Sequence, residues 1–237
     1  DYDNSSSNVA IPETILDKTV SGIDSFAFSK NTTITSVTMP NTVTKIGDSA
    51  FADATNLLSA KLSENCTDVG ICLFQGCTSL KSVDLNSKIT LINAQMFYKC
   101  SSIESIVIPD TVNKIGNYAF SECSSLKSVC IPSSVTEISR SAFRKTASVT
   151  IKGSYGSYAE EYAKANNIPF EGISAYDVGD VNMDGGINIL DATLVQKYVV
   201  GIVELSAEQK HLADYNNDGD ITVVDATEIQ KFIVHLN

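Results

Sequence analysis

The chain has 237 residues, 43% of them hydrophobic, and a formal net charge of −11 from 28 acidic and 17 basic residues. That is material for one or two domains with an apolar core. The acidic balance without a basic patch argues against a nucleic-acid binder. No uncharged apolar run approaches the roughly 18 residues that a membrane-spanning helix needs. The charge is uneven: residues 176–237 hold 11 Asp/Glu against 3 Lys/Arg, whereas residues 1–175 hold 17 against 14.

Residues 1–8, Asp-Tyr-Asp-Asn-Ser-Ser-Ser-Asn, form a polar tail. No signal peptide is visible there, and the tail reads as a mature terminus or an artificial boundary. From Val9 onward the chain repeats with a period of 23. Phe28, Phe51, Phe74, Phe97, Phe120 and Phe143 mark it, as do Ile23, Ile46, Val69, Ile92, Ile115 and Ile138. Three more apolar series keep step: Ile34, Leu57, Leu80, Ile103, Leu126; Val37, Ala60, Val83, Ile106, Val129; and Met39, Leu62, Leu85, Ile108, Ile131. One such unit cannot bury its own apolar face, so the copies must stack as a solenoid. The unit is too short for two helices.

Each unit divides in two. Leu-x-Ser-Val-x-Leu alternates as a short strand, and Ile-Gly-x-x-Ala-Phe has the spacing of a single helical or 3-10 turn. Pro40, Pro109 and Pro132 follow the strand and block further pairing. The first copy, Val9 to Met39, is longer and caps one end. After Val149 the pattern gives way to Ser157-Tyr-Ala-Glu160, a capping-box sequence. It predicts a helix over Tyr158–Asn166, then an extended segment over Ile168–Ile173. The solenoid thus spans residues 9–172, and residues 173–175 form a linker to a second module at 176–237.

That module contains one loop twice, 34 residues apart. The first copy places Asp180, Asn182, Asp184, Gly186, Asn188 and Asp191 at loop positions 1, 3, 5, 7, 9 and 12. The second places Asp214, Asn216, Asp218, Asp220, Thr222 and Asp225 there. A hard cation takes six to eight oxygens, and this spacing supplies them, position 7 through its backbone carbonyl. Gly185 and Gly219 at position 6 permit the sharp turn. Two Ca²⁺ are expected, and they would bring the module from −8 to −4. A helix leaves each loop, with core positions Ala192, Val195 and Val199, then Ala226, Ile229 and Ile233. Ser206 to Leu212 reads as a short connecting helix capped by Ser206. Position 12 is Asp rather than the EF-hand Glu, and no helix is expected to enter either loop.

Two resemblances follow. The unit Ile-Pro-x-x-Val-x-x-Ile-x-x-x-Ala-Phe-x-x-Cys-x-Ser-Leu-x-Ser-Val, clearest from Pro109 to Ile131, closely resembles the BspA-like leucine-rich repeat of bacterial surface proteins. Copy 3 (Ser63 to Leu85) lacks the Pro and carries Leu73-Phe74 in place of Ala-Phe. The tandem Asp-x-Asn-x-Asp-Gly loops resemble the type I dockerin family, over about Tyr176 to Asn237. That resemblance implies a module folded around two calcium ions that plugs into a cohesin on a scaffolding protein. The assembly is the cellulosome, secreted by anaerobic bacteria that degrade plant polysaccharides. In the family, loop positions 10 and 11 help select the cohesin. Here they are Ile189 and Leu190, and Val223 and Val224, with Thr193, Lys197, Thr227 and Lys231 along the same faces. The alternative is that these aliphatics pack inside the module.

The implied function is a non-catalytic cellulosome component, tethered through its dockerin, whose repeats mediate protein–protein interaction. The alternative is that the repeats act as a carbohydrate-targeting module on the same tether. A ladder of Ser36, Ser59, Ser82, Ser105 and Ser128 alternates with the core residues, beside a mixed set of Thr38, Lys61, Asp84, Val107 and Cys130. Neither set names a ligand. The chain lacks Trp, and Tyr98 and Tyr118 form no stripe. The only histidines, His211 and His235, lie outside the array, so the array cannot build a Ser-His or Cys-His pair. Cys77, Cys100 and Cys123 share one repeat position and read as buried free thiols. A disulfide between stacked neighbours or a metal site remains open.

Overall fold

The architecture is taken from a computed structural model, which describes residues 7–85 and 88–235. The N-terminal coil holds β1 (Asn8–Ala10), a hairpin of β2 (Thr14–Ile15) and β3 (Lys18–Thr19), and β4 (Gly22–Ile23). Every later coil adds a three-residue and a two-residue strand. These are β5 (Ser36–Thr38) and β6 (Lys45–Ile46), β7 (Ser59–Lys61) and β8 (Asp68–Val69), and β9 (Ser82–Asp84) and β10 (Leu91–Ile92). Then come β11 (Ser105–Val107) and β12 (Lys114–Ile115), and β13 (Ser128–Cys130) and β14 (Glu137–Ile138). The array closes with β15 (Thr150–Ser154), helix α1 (Tyr158–Ala165) and β16 (Phe170–Ile173).

Successive coils pair in parallel, Ser36 opposite Ser59 and Ile115 opposite Ile138, so sequence period and pairing register coincide. The segment ending in Ala-Phe forms i→i−3 turns, such as Tyr98 N–H to the Gln95 carbonyl at 3.1 Å. Residues with positive φ interrupt these turns at the same repeat positions, among them Gln95 (57°) and Tyr118 (57°). Their N–H groups instead bond the next coil, Cys72 to the Ala94 carbonyl at 2.9 Å and Gln95 to the Asn117 carbonyl at 2.8 Å.

All five apolar series point inward. The phenylalanines form one column, with consecutive ring centroids 5.2 to 5.8 Å apart. Each buried ring contributes roughly 1.5–3 kcal/mol by area, and each ring pair roughly 0.5–1.5 kcal/mol more. Tyr162 of α1 ends the column, tilted against Phe143 at 6.1 Å, and its hydroxyl donates to the Ser139 carbonyl. Ser157 caps α1 as expected, but the Glu160 carboxylate reaches Gly156 N–H (2.6 Å) instead of completing the box on Ser157.

Beside the phenylalanines runs a thiol ladder. The Cys77, Cys100 and Cys123 thiols donate to the carbonyls of Phe51, Phe74 and Phe97 at 3.0, 3.1 and 3.0 Å. Thr146 continues it at the same repeat position, bonding the Phe120 carbonyl at 2.7 Å. All six cysteines are free. Burial pushes the Cys77 and Cys123 thiols up to about 12, and that of Cys100 well above its ordinary value.

The ladders have one interruption. The three-residue strands form two sheets, β1-β5-β7-β9 and β11-β13-β15-β16, and the two-residue strands split into β4-β6-β8 and β10-β12-β14. One break lies between β9 and β11 and the other between β8 and β10, on either side of the β9–β10 coil. Elsewhere Lys81 N–H meets the Leu58 carbonyl and Lys127 N–H the Glu104 carbonyl, but no equivalent bond joins β9 to β11 among the described residues. At the other ladder, the Asn93 side-chain amide takes the Val69 carbonyl. In neighbouring coils the equivalent carbonyls, of Ile46 and Ile92, accept from the backbone N–H groups of Gly70 and Gly116. A Cβ on Gly70 would run into the backbone of Gly47–Asp48. Ser139 occupies this position and keeps its backbone bond, so side-chain bulk alone does not open the ladder.

The C-terminal module consists of α2 (Ile189–Val199), α3 (Ala207–Ala213) and α4 (Val223–His235). Its core is small: Val181, Ala192, Val195, Leu205, Ala213, Ala226 and Ile229 are buried. Two expectations need correction. Val199 is 38% exposed; Tyr198 and Leu194 pack on the core instead, because α2 ends there and Gly201 turns away. The second loop is entered by a helix, since α3 runs to Ala213 and Asp214 is its C-cap. The reciprocal Ser206–Gln209 capping box organises that short helix. The first loop follows non-helical chain, as expected.

The two modules touch. Tyr155 stacks on His211 with centroids 4.2 Å apart, and the Ser174 hydroxyl donates to the Glu208 carboxylate at 2.8 Å. Burial, then the neighbouring Glu160, Glu171 and Glu208, push the Tyr155 phenol up.

Candidate calcium loops and docking surfaces

The two loops share the backbone bonds of their first and last aspartates and differ at position 9, where the Asn188 amide bonds the Gly186 carbonyl and the Thr222 hydroxyl bonds Asp225. Asp180 accepts from the N–H groups of Asp184 (3.1 Å) and Gly185 (2.8 Å); Asp214 accepts from Asp218 (3.1 Å) and Gly219 (3.0 Å). Asp191 accepts from Asn182 N–H and Asn188 N–H, both at 2.9 Å, and Asp225 from Asn216 N–H and Thr222 N–H at 3.2 and 2.9 Å. Positions 4 and 6 lie in the left-handed region in both copies: Met183 and Gly185 at 60° and 91°, Asn217 and Gly219 at 57° and 93°. Glycine at position 6 meets that requirement without strain. The same Asp191 side chain closes a capping box with Asn188, so one residue starts α2 and faces the loop.

Asp180 is 2% exposed, and Asp191 and Asp225 are 0% exposed. No loop carboxylate forms an ion pair among the described residues; the nearest pair on these helices is Lys231–Glu228. Burying carboxylates without a counter-charge is costly. Backbone N–H groups meet part of that demand, and a cation inside the loop would meet the rest. No three His, Cys, Asp or Glu side chains are gathered as a preformed cage among the described residues. The reason is local. Asp184 and Asp218 turn one oxygen to the N–H two residues on and the other to the Asn182 or Asn216 amide. The donor set is all oxygen and suits a hard cation, so the residues fit calcium.

At positions 10 and 11 of each loop lies an exposed aliphatic pair. Ile189 and Leu190 are 55% and 60% exposed, and Val223 and Val224 are 58% and 50% exposed. The alternative, that they pack inside the module, therefore falls away. Thr193 and Thr227 turn their hydroxyls back to the Ile189 and Val223 carbonyls at 2.8 Å. Lys197 is exposed, and Lys231 bonds Glu228 at 2.7 Å.

On the solenoid, the serine ladder lies on the outer side of the three-residue strands, flanked by the exposed Thr38, Lys61, Asp84 and Val107 and the half-buried Cys130. Lysine–carboxylate pairs link neighbouring coils across this face and the two-residue strands, among them Lys61–Asp84 and Lys45–Asp68. At the break between β9 and β11 the surface opens into a cleft of about 620 Å³. Val83 is half-buried there, whereas Val37, Ala60, Ile106 and Val129 are buried at the same repeat position. Val107 is 71% exposed. Periodicity gave no sign of this cleft, because Val83 and Val107 keep the repeat; only Asn93 in place of glycine marks the coil. Tyr98 and Tyr118, far apart in any strand stripe, meet in one depression on the turn side.

Fold and loops together define a class: a parallel leucine-rich-type solenoid joined to a small two-loop calcium module. The family model for the BspA-type leucine-rich repeat region matches residues 3–124 and 54–163, in six copies. The chain belongs to that family. The type I dockerin domain model matches residues 178–234. Among solved structures, the chain is similar to the T. pallidum leucine-rich repeat protein, with a TM-score of 0.61 and 24% identity over 71% of this chain and 87% of that one. It is also similar to a leucine-rich cell surface protein from Faecalibacterium prausnitzii, with a TM-score of 0.51 and 24% identity over 62% of this chain and 48% of that one. Both likenesses concern the fold. No curated protein matches the chain. Type I dockerins are calcium-binding, cohesin-binding modules of cellulosome type, and leucine-rich repeats are protein-interaction modules. Both are non-catalytic module types. No helix among the described residues is long and apolar enough to cross a membrane.

Proposed function

We propose that this protein is a secreted, non-catalytic cellulosome component. Two Ca²⁺ would be held by Asp180, Asn182, Asp184, the Gly186 carbonyl, Asn188 and Asp191, and by Asp214, Asn216, Asp218, the Asp220 carbonyl, Thr222 and Asp225. The ions supply the positive charge that the buried carboxylates lack. The N-terminal ends of α2 and α4 then present Ile189 and Leu190, and Val223 and Val224, to a cohesin with an apolar complement. Thr193, Lys197, Thr227 and Lys231 would border that contact. The solenoid contacts a further extracellular or cell-surface protein, and the cleft at Val83 and Val107 is the apolar opening in its otherwise polar strand face. In this reading residues 9–172 are the solenoid and 176–237 the dockerin. Ile173 belongs to β16, so the joint narrows to Ser174–Ala175.

The observation that carries the reading is the repeated pairing of a buried carboxylate that has no ion-pair partner among the described residues (Asp191, Asp225) with an exposed aliphatic pair in the two positions before it. The test is cohesin binding by the full chain in calcium. Ile189 and Leu190 are changed together to Asp, and Val223 and Val224 likewise in a second variant. Equal small losses mean two usable faces, and one complete loss means a single face. Undiminished binding by the protein carrying all four changes would overturn the docking surface.

A further inference from the structure

The turn side of the later coils carries a charge pattern unlike the rest of the molecule. The chain has two arginines, Arg140 and Arg144, four residues apart in one coil, within a protein of net charge −11. Both are exposed, and neither forms an ion pair among the described residues, although lysines pair with acids throughout the array. Arg144 borders two depressions at once. One, of about 200 Å³, is lined by Gln95, Tyr98, Tyr118, Ser121, Glu122 and Arg144. The other, of about 330 Å³, holds Arg140 and Arg144 beside Asn166 and Asn167 at the end of α1.

The one carboxylate in the first depression is already matched. Glu122 receives Lys145 at 3.0 Å and Lys99 at 4.0 Å, and the Lys145 hydrogen bond holds its carboxyl below the usual range. Two lysines therefore meet that acid, and the guanidiniums of Arg144 and Arg140 pair with none among the described residues. The remaining groups are those that recognise a sugar ring. Tyr98 and Tyr118 offer rings, although the Lys99 ammonium lies 5.1 Å from the Tyr98 ring centroid. Gln95 has its carbonyl oxygen engaged by the Cys72 thiol, which leaves its amide N–H groups.

We infer that this groove binds an acidic polysaccharide whose sugar rings carry carboxylates. The guanidiniums take the carboxylates in the bidentate geometry that a lysine cannot offer. The tyrosine rings take the apolar face of a sugar, and the side-chain amides its hydroxyls. Each depression is at or below the lower end of ordinary ligand pockets, about 300–1,000 Å³, and each takes about one ring. Two depressions sharing one arginine suit neighbouring rings of a chain better than a free monosaccharide. The site goes beyond the proposed function, since it uses neither the strand face nor the dockerin.

The experiment titrates the full-length protein, in calcium, with a short oligogalacturonate. A neutral galactose oligomer of equal length and an oligoglutamate peptide of similar charge serve as comparators. Oligogalacturonate binding is expected, with at least a tenfold loss in Arg144→Ala and in Tyr118→Ala, and no measurable binding of either comparator. Unchanged melting of both variants confirms that they fold. Failure of the wild type to bind, wild-type affinity in Arg144→Ala, or equal binding of the neutral oligomer would each overturn the site. Equal binding of oligoglutamate would reduce it to a general anion patch and overturn the sugar assignment. Cohesin binding by the same samples is read separately, so either proposal can fail alone.

Discussion

The two modules reach stability by opposite routes. The solenoid repeats one small solution: each coil lays five apolar side chains on those of the last, and a column of six phenylalanines runs its length. It needs no ligand, because every added coil buries more surface. The dockerin cannot do this. Its core consists largely of alanines and valines, and a module of about 60 residues buries a low fraction of its surface. It also buries carboxylates that form no ion pair among the described residues. On the proposed function, ion binding supplies folding free energy in the second module and none in the first.

The sharpest way to break this contrast is chelation. Removing Ca²⁺ from the full chain is expected to unfold residues 176–237 and leave the solenoid intact. Amide NMR should show the dockerin resonances collapsing while those of the array stay in place. A C-terminal module that keeps its spectrum in metal-free buffer would refute the ion-dependent half. The next largest effect lies inside the array. Phe97→Ala removes a ring with partners on both sides and is expected to cost about 3–5 kcal/mol. Phe28→Ala, at the end of the column and already 8% exposed, should cost less. Urea unfolding of both variants measures the difference, and equal losses would mean that the column is not cooperative. Calcium affinity should change in neither.

The smallest effect concerns the thiols. The reactive species is the thiolate, and a pKa pushed up to about 12 leaves Cys77 and Cys123 almost wholly protonated near pH 8. Alkylation with mass-spectrometric mapping should reach the half-buried Cys72 and Cys130 first and leave Cys77, Cys100 and Cys123 unmodified until unfolding. Early modification of Cys100 would show that the coils open locally. The break between β9 and β11 is where such opening would begin.

Much of this was legible in the residues. A 23-residue period with five apolar positions admits only a stack, and the strand register then equals the period. The loops were equally legible, because oxygen ligands at fixed spacing reflect a geometry satisfied within twelve residues. The exposure of Ile189, Leu190, Val223 and Val224 was not, since helical spacing alone permits packing inside. Val199 shows the same limit: it sits at a core spacing, yet the helix ends beneath it and leaves it outside. The entry of a helix into the second loop was missed because the connecting segment was weighed apart from the loop it abuts.

Sequence by itself determined the repeat, the twofold copy of the Asp/Asn-rich loop and the order of the modules, because each rests on spacing along a single stretch of chain. Tertiary structure alone decided the interruption of the two strand ladders on either side of the β9–β10 coil, the meeting of Tyr98, Tyr118 and Arg144, and the stacking of Tyr155 on His211. Those features arise between residues about 20 or more positions apart. Their juxtaposition depends on how far each coil is shifted against the next, and no local pattern records that offset.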